Sequence, residues 1–393
     1  MQNRIIGIFF SALTFGFVSI SASATEDFSV DGFFAGQDSY APFNDSQSAL
    51  LAQADTASAG GASDTNPDGA DAPLSPECAA LAADKDADLG DVLKAGCKPT
   101  LAQMSALMDN PLGNVAMLFL QYDQYFVKRD DVDESANQSN FMALLQFPKS
   151  LGKNWNLINR VVFNIASVPL DQDKIDAIDP TNPPACSPPP GGGPPSCNPE
   201  ALLPIDLFEG RTTGLGDSYY VALFSPKAPK KTASGAKLLW GLGFDALFPT
   251  ATEDVLGVGK WAAGPSALGV YLGPTFKGGA LLQQYFSFAG SDNNDDVNMT
   301  NLQYFYMWGL SDTLSIGAAP NIIINWEASG TSRFTIPVGL GINKTVQFGK
   351  IPVRLGLELY YSVWRPNSVP STEWNLRFYA IPAAPSALFG WMQ

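Results

Sequence analysis

The sequence predicts an all-β fold: a transmembrane, antiparallel, up-and-down β-barrel of about 12 strands, preceded by a largely disordered acidic periplasmic segment. Three observations carry this. From residue 113 onward apolar and polar side chains alternate in blocks of about ten residues, the period and length of outer-membrane strands. The connections between blocks alternate in length and charge. An export signal opens the chain, and after residue 24 there is no apolar run of the ~18 residues that a membrane helix needs, so strands must do any crossing.

Residues 1–24 carry one basic residue, Arg4, then an apolar run from Ile5 to Val18, and end Ala22-Ser23-Ala24 before Thr25-Glu26-Asp27. The pattern is that of a signal peptide cleaved after Ala24. Residues 25–112 hold 15 Asp or Glu against three Lys. Residues 45–76 are mostly Ala, Asp, Ser and Gly, too poor in large apolar groups to offset chain entropy, which predicts disorder there. Cys78 and Cys97 flank a short helical patch, and Cys186 and Cys197 flank a Pro/Gly run. In an oxidising compartment two local bridges are the simplest pairing of these four.

The period of two is clearest in residues 351–364. Val353, Leu355, Leu357, Leu359, Tyr361 and Val363 fall on one face, Arg354, Gly356, Glu358, Tyr360 and Ser362 on the other. The same split recurs in 237–248, 333–343 and 373–380. One face of each strand therefore meets lipid and the other a polar interior. Twelve strands are expected near 115–127, 139–147, 155–166, 216–225, 236–248, 265–276, 279–289, 300–309, 313–326, 332–343, 351–364 and 372–382, with a tail over 383–393. Asn159 and Gln284 fall on the lipid face against the pattern, and the faces of 216–225 are ambiguous. Trp155, Tyr219, Trp240, Tyr271, Trp308, Trp326, Tyr361, Trp364 and Trp374 sit near strand ends, where interfacial girdles belong. A soluble β-sandwich would alternate too, but its inward faces would be apolar rather than rich in Gly and Lys.

The chain contains no His. That removes Ser-His-Asp and Cys-His nucleophiles, His-ligated metals and a histidine switch. No catalytic, cofactor or metal site is expected, and a net charge of −15 would repel nucleic acid. The alternation assigns inward positions to Asp123, Arg160, Lys237, Asp245, Arg333, Arg354, Glu358 and Arg377. These charges either select solutes, as charged rings do in pores, or pair across the lumen and brace the wall. The connection 167–215, long and Pro-rich, either folds in as a constriction or stands out as surface decoration.

Several runs resemble a large family of Gram-negative outer-membrane proteins labelled transporters or meta-pathway phenol-degradation proteins. They include Asn110-Pro111-Leu112, Trp155-Asn156-Leu157-Ile158-Asn159-Arg160, Gly214-Leu215-Gly216-Asp217 and Trp240-Gly241-Leu242-Gly243. The most specific spans 248–265, with Phe248-Pro249-Thr250-Ala251-Thr252 followed by Leu256-Gly257-Val258-Gly259-Lys260-Trp261. The resemblance covers about residues 110–382 and implies an outer-membrane barrel that moves small or aromatic compounds. Membrane lipid, the barrel-assembly machinery and a small solute are then the expected partners. The other expectation is a closed barrel that works through its loops. The acidic leader, the Cys186–Cys197 insertion and the tail depart from the family pattern. Whether the leader plugs the barrel or hangs below it stays open.

Overall fold

The computed structural model describes residues 75–84, 91–92, 95–113, 115–130, 133–170, 186–187, 196–197, 208, 210–290, 294–349, 351–367 and 369–385. The signal sequence and its cleavage site after Ala24 lie outside them, as do most of the connection 167–215 and the last eight residues.

Twelve antiparallel staves close into one barrel. They are β1 (Val115–Arg129), β2 (Glu134–Leu151), β3 (Trp155–Val168), β4 (Thr212–Leu215 continued by Ser218–Pro226), β5 (Lys237–Phe248) and β6 (Lys260–Leu272). Then follow β7 (Phe276–Gly290), β8 (Asn298–Gly309), β9 (Leu314–Ala318 continued by Asn321–Asn325), β10 (Phe334–Phe348), β11 (Ile351–Trp364) and β12 (Ser371–Pro385). Each pairs with its chain neighbours, and β12 pairs with β1 to close the ring. Closure is what removes the unpaired edges that lipid cannot satisfy.

The expected strand centres hold, while several ends move. β2 begins five residues early, and β12 runs on to Pro385, into the stretch read as tail. β6 also starts five residues early, because Gly264-Pro265, which reads as a breaker, lies within the strand and keeps its pairing to β5. β4 resolves the ambiguous segment: Tyr219, Val221 and Leu223 are buried inside, and Phe224 faces out. Tyr219 is thus a lumen residue and not part of a girdle.

The outer surface is an apolar belt of exposed side chains such as Phe163, Leu242, Leu340, Leu357 and Phe378, an arrangement that lipid satisfies and water does not. Aromatic pairs mark its two rims. Trp155–Trp240 and Phe276–Trp308 lie at the short-turn end, with ring centroids 5.8 and 5.3 Å apart. Phe248–Trp261 and Tyr361–Trp374 lie at the long-loop end. The two polar residues on the lipid face have partners there. Tyr220 donates its hydroxyl to Asn159 Oδ1 at 2.7 Å, and Gln284 Nε2 donates to Asn298 Oδ1 at 3.0 Å. None of the helices among the described residues is long and apolar enough to cross a membrane.

Ahead of the barrel stand two short helices. Ser75 caps α1 (Pro76–Ala83), with Pro76 at its first turn, and Thr100 with Gln103 forms a reciprocal capping box on α2 (Leu101–Met108). The Cys78–Cys97 disulfide is present, and Gln103 Nε2 bonds the carbonyls of Leu81 and Asp84, fastening α1 to α2. Cys186 and Cys197 face each other as partners in a two-residue ladder.

The wall is tightest where inward glycines let strands approach. A Cβ on Gly243 would stand 1.7 Å from the Ala222 carbonyl oxygen, whereas one on lipid-facing Gly269 would meet nothing within 4 Å. Gly243→Val is expected to destabilise the barrel by about 3 kcal/mol or to prevent closure, with Gly269→Ala nearly neutral. The heat-modifiable folded band on an SDS gel checks both.

Candidate functional site

The interior of the barrel is covered at both ends. At the short-turn end α2 enters the mouth. Met104 and Met108 pack on Val115, Met117, Tyr379 and Ile381, and Leu112 sits among Ile158, Val221, Leu223 and Leu268. Asp109, the C-cap of α2, binds two wall cations: Arg354 Nη1 at 2.7 Å and Lys277 Nζ. Arg354 also donates to the Ser105 carbonyl at 2.9 Å. Met104, Met108, Asp109 and Leu112, on the leader side of the boundary expected at residue 112, thus pack inside the mouth of the barrel.

At the long-loop end the connection 249–259 folds over the mouth and buries Val255, Leu256 and Val258 against Tyr219, Tyr285 and Ile323. Asp217, in the break of β4, holds it there: its carboxylate accepts from the backbone N–H of Val258 at 2.7 Å and of Ala251 at 3.2 Å. A side chain on Gly257 would strike that carboxylate.

Between plug and cap lies a cavity of about 230 Å³. Its wall combines apolar side chains, among them Met117, Met142, Leu144, Val162 and Phe305, with amides such as Gln121, Asn140, Gln146, Gln283 and Asn301. Asp123, Arg160, Arg354, Glu358 and Arg377 line it. Three other positions assigned to the interior do not. Lys237, at the short-turn end of β5, and Asp245, buried and bound to Ser266 Oγ at 2.6 Å, keep the inward face but stand off the cavity.

Arg333 needs correction. It lies not on a strand but in a 3-10 turn at the long-loop end (Gly330–Arg333), its Nε donating to the Ala328 carbonyl and its guanidinium over the Trp326 ring. The turn, which breaks the alternation just before Phe334, sets it there.

The charges are arranged across the closing seam. Asp123 on β1, Arg377 on β12 and Glu358 on β11 occupy one row, each the register partner of the next. Arg377 Nε donates to Asp123 Oδ1 at 2.8 Å, Asn375 donates to the same oxygen, and Arg377 Nη1 reaches the Tyr360 hydroxyl, which bonds Glu358. Lys277 and Asp109 were absent from the expected set. Lys277 reads as a turn residue, and Asp109 reads as one more acid of the leader. The capping-box pair Thr100 and Gln103, followed by Met104 and Met108 at helical spacing, is the sequence signal that marks the plug.

Among the described strands the wall is interrupted between β9 and β10. The β9–β10 ladder pairs Leu314–Gly317 with Gly341–Lys344 and resumes at Ile323 and Ile324, leaving Ala318–Ile322 unpaired with Ile336–Leu340. Pro320 and Pro337, which lack N–H groups, lie in this stretch. Side chains replace the missing ladder. Ala319 N–H donates to Glu358 at 3.4 Å and its carbonyl accepts from Arg377 at 3.0 Å on the inside. On the lipid face the stacked rings of Tyr304 and Tyr306 reach across from β8 to the carbonyls of Pro337 and Gly339. Changing both tyrosines to Phe is expected to cost about 1 kcal/mol per bond lost. A urea unfolding midpoint in lipid vesicles measures it.

No family model matches the chain, and no curated protein does. Among solved structures it is similar to the COG4313 outer membrane channel from Pseudomonas putida F1, at 11% identity over 69% of this chain and 96% of that one, with a TM-score of 0.46. It is also similar to outer membrane phospholipase A from Escherichia coli, at 12% identity over 72% and 96%, TM-score 0.37. A Pseudomonas aeruginosa FadL homologue matches at 10% identity over 69% and 90%, TM-score 0.33.

Proposed function

We propose that the protein is a passive outer-membrane channel for small, partly apolar molecules, with the cavity as its solute site. The observation that carries this reading is the cavity itself, apolar in most of its wall, ringed by amides and held between two covers. An ion pore would present a ring of unpaired charge to water, whereas three of the four lining cations here are committed, Arg377 to Asp123 and Arg354 and Lys277 to Asp109. Amides and thioethers suit a solute whose body is apolar or weakly polar, such as a small aromatic compound. The short-turn end faces the periplasm in this reading, since short turns inside and long loops outside is the habit of such barrels. Lipid packs the outer belt, and the assembly machinery of the outer membrane inserts it.

Permeation requires a cover to move. The periplasmic plug is the better candidate, because its ionic hold on the wall runs through one carboxylate, Asp109, which binds two wall cations. The covered ends also favour a second reading, a barrel that stays closed and works through its loops.

Liposome swelling with benzyl alcohol separates them. The wild type is expected to admit the solute slowly. Asp109→Ala leaves Arg354 and Lys277 without their carboxylate, a loss on the order of 3 kcal/mol, and is expected to raise the rate at least tenfold. No permeation by either protein would leave the closed barrel as the answer.

A further inference from the structure

Of the charged side chains lining the cavity, Arg160, Lys277, Arg354 and Arg377 are cationic, and Asp109, Asp123 and Glu358 are anionic. The cavity therefore carries one positive charge in excess. Arg354 and Lys277 share Asp109, and Arg377 lies between Asp123 and Glu358. Arg160 is the cation left over. Its buried Nε has no acceptor among the described residues. Asp245 is two strands further round the wall, Arg160 opposite Val221 and Val221 opposite Asp245. Its Oδ2 accepts from Ser266, and among the described residues its buried Oδ1 has no hydrogen-bond partner, yet it forms no ion pair with Arg160.

Directly across the β2–β3 ladder from Arg160 stands Gln146, buried, with neither its amide nitrogen nor its amide oxygen satisfied among the described residues. Two neighbouring polar side chains, one of them charged, thus line the same cavity with polar atoms unsatisfied among the described residues. A buried guanidinium with no ion pair is costly in a folded wall and is retained where something else supplies the counter-charge. Beside them on the same face of β2 and β3 lie Met142, Leu144 and Val162, and Val221 is next on β4. The local surface is a polar head site joined to an apolar floor.

We propose that this is the binding site for a small amphipathic monocarboxylate. The carboxylate takes two parallel hydrogen bonds from the Arg160 guanidinium, the geometry that group is built for, and a third from Gln146 Nε2. The apolar body lies on Met142, Leu144, Val162 and Val221. One monoanion brings the charge of the cavity to zero. The inference deepens the channel reading and rests on it, naming the class of solute that the same cavity holds.

Isothermal titration calorimetry on the mature protein in zwitterionic lipid nanodiscs tests it, with 4-phenylbutyrate and its uncharged amide as probes and empty nanodiscs as reference. The acid is expected to bind at least tenfold more tightly than the amide. Arg160→Gln is expected to weaken the acid at least tenfold while moving the amide less than twofold, and Arg160→Lys to keep part of the preference. Heat modifiability on a gel shows that each variant is folded. Equal affinity for acid and amide, or acid binding that survives Arg160→Gln, would overturn the site and leave the channel reading standing. No binding of either probe would overturn both.

Discussion

A barrel in lipid must find partners for its interior charges inside itself or in what it binds, and the row Asp123–Arg377–Glu358 is where this chain meets most of that demand by itself. The row crosses from β11 through β12 to β1, so it spans the seam where the first strand meets the last. Backbone pairing alone makes that seam no different from the others. The buried ion pair adds a requirement that only correct register meets, because a slip of one residue would turn Arg377 to lipid. Arg377 and Glu358 of the same row also hold the inner face of the β9–β10 interruption, through Ala319. One cluster thus closes the ring and braces its weakest stretch.

The rest of the interior follows from the same demand. Among the described residues neither Arg354 nor Lys277 forms an ion pair with a carboxylate of the wall, and α2 brings Asp109 to them. The helix is only eight residues long and would be marginal by itself, so its order depends on packing within the mouth and on the Cys78–Cys97 tie behind it. Cover, counter-charge and cavity wall are supplied by one short segment. At the opposite mouth Asp217 does the equivalent work with backbone N–H groups.

Much of the fold is legible in the sequence because lipid enforces it. A side chain on a transmembrane strand has two choices, and Leu357, Leu359, Tyr361 and Val363 against Arg354 and Glu358 leave no doubt about which is which. The count of twelve and the inward placement of five charges that line the cavity follow from that alternation. What escapes the period of two is tertiary. Arg333 obeys the alternation on paper yet sits in a turn. Asp109 matters through cations about 170 and 250 positions away in the chain. The β9–β10 interruption depends on Tyr304 and Tyr306 reaching over an intervening strand. Composition reports none of these distances.

The most direct test of the account is a double-mutant cycle on Asp123 and Arg377, read as equilibrium unfolding in lipid vesicles by tryptophan fluorescence. If the seam pair is the constraint on which the interior depends, Asp123→Asn and Arg377→Met each cost about 3 kcal/mol or more, and the double variant costs little more than either. Strictly additive losses, equal to the sum within about 0.5 kcal/mol, would mean that the two side chains act independently and that closure rests on the backbone alone.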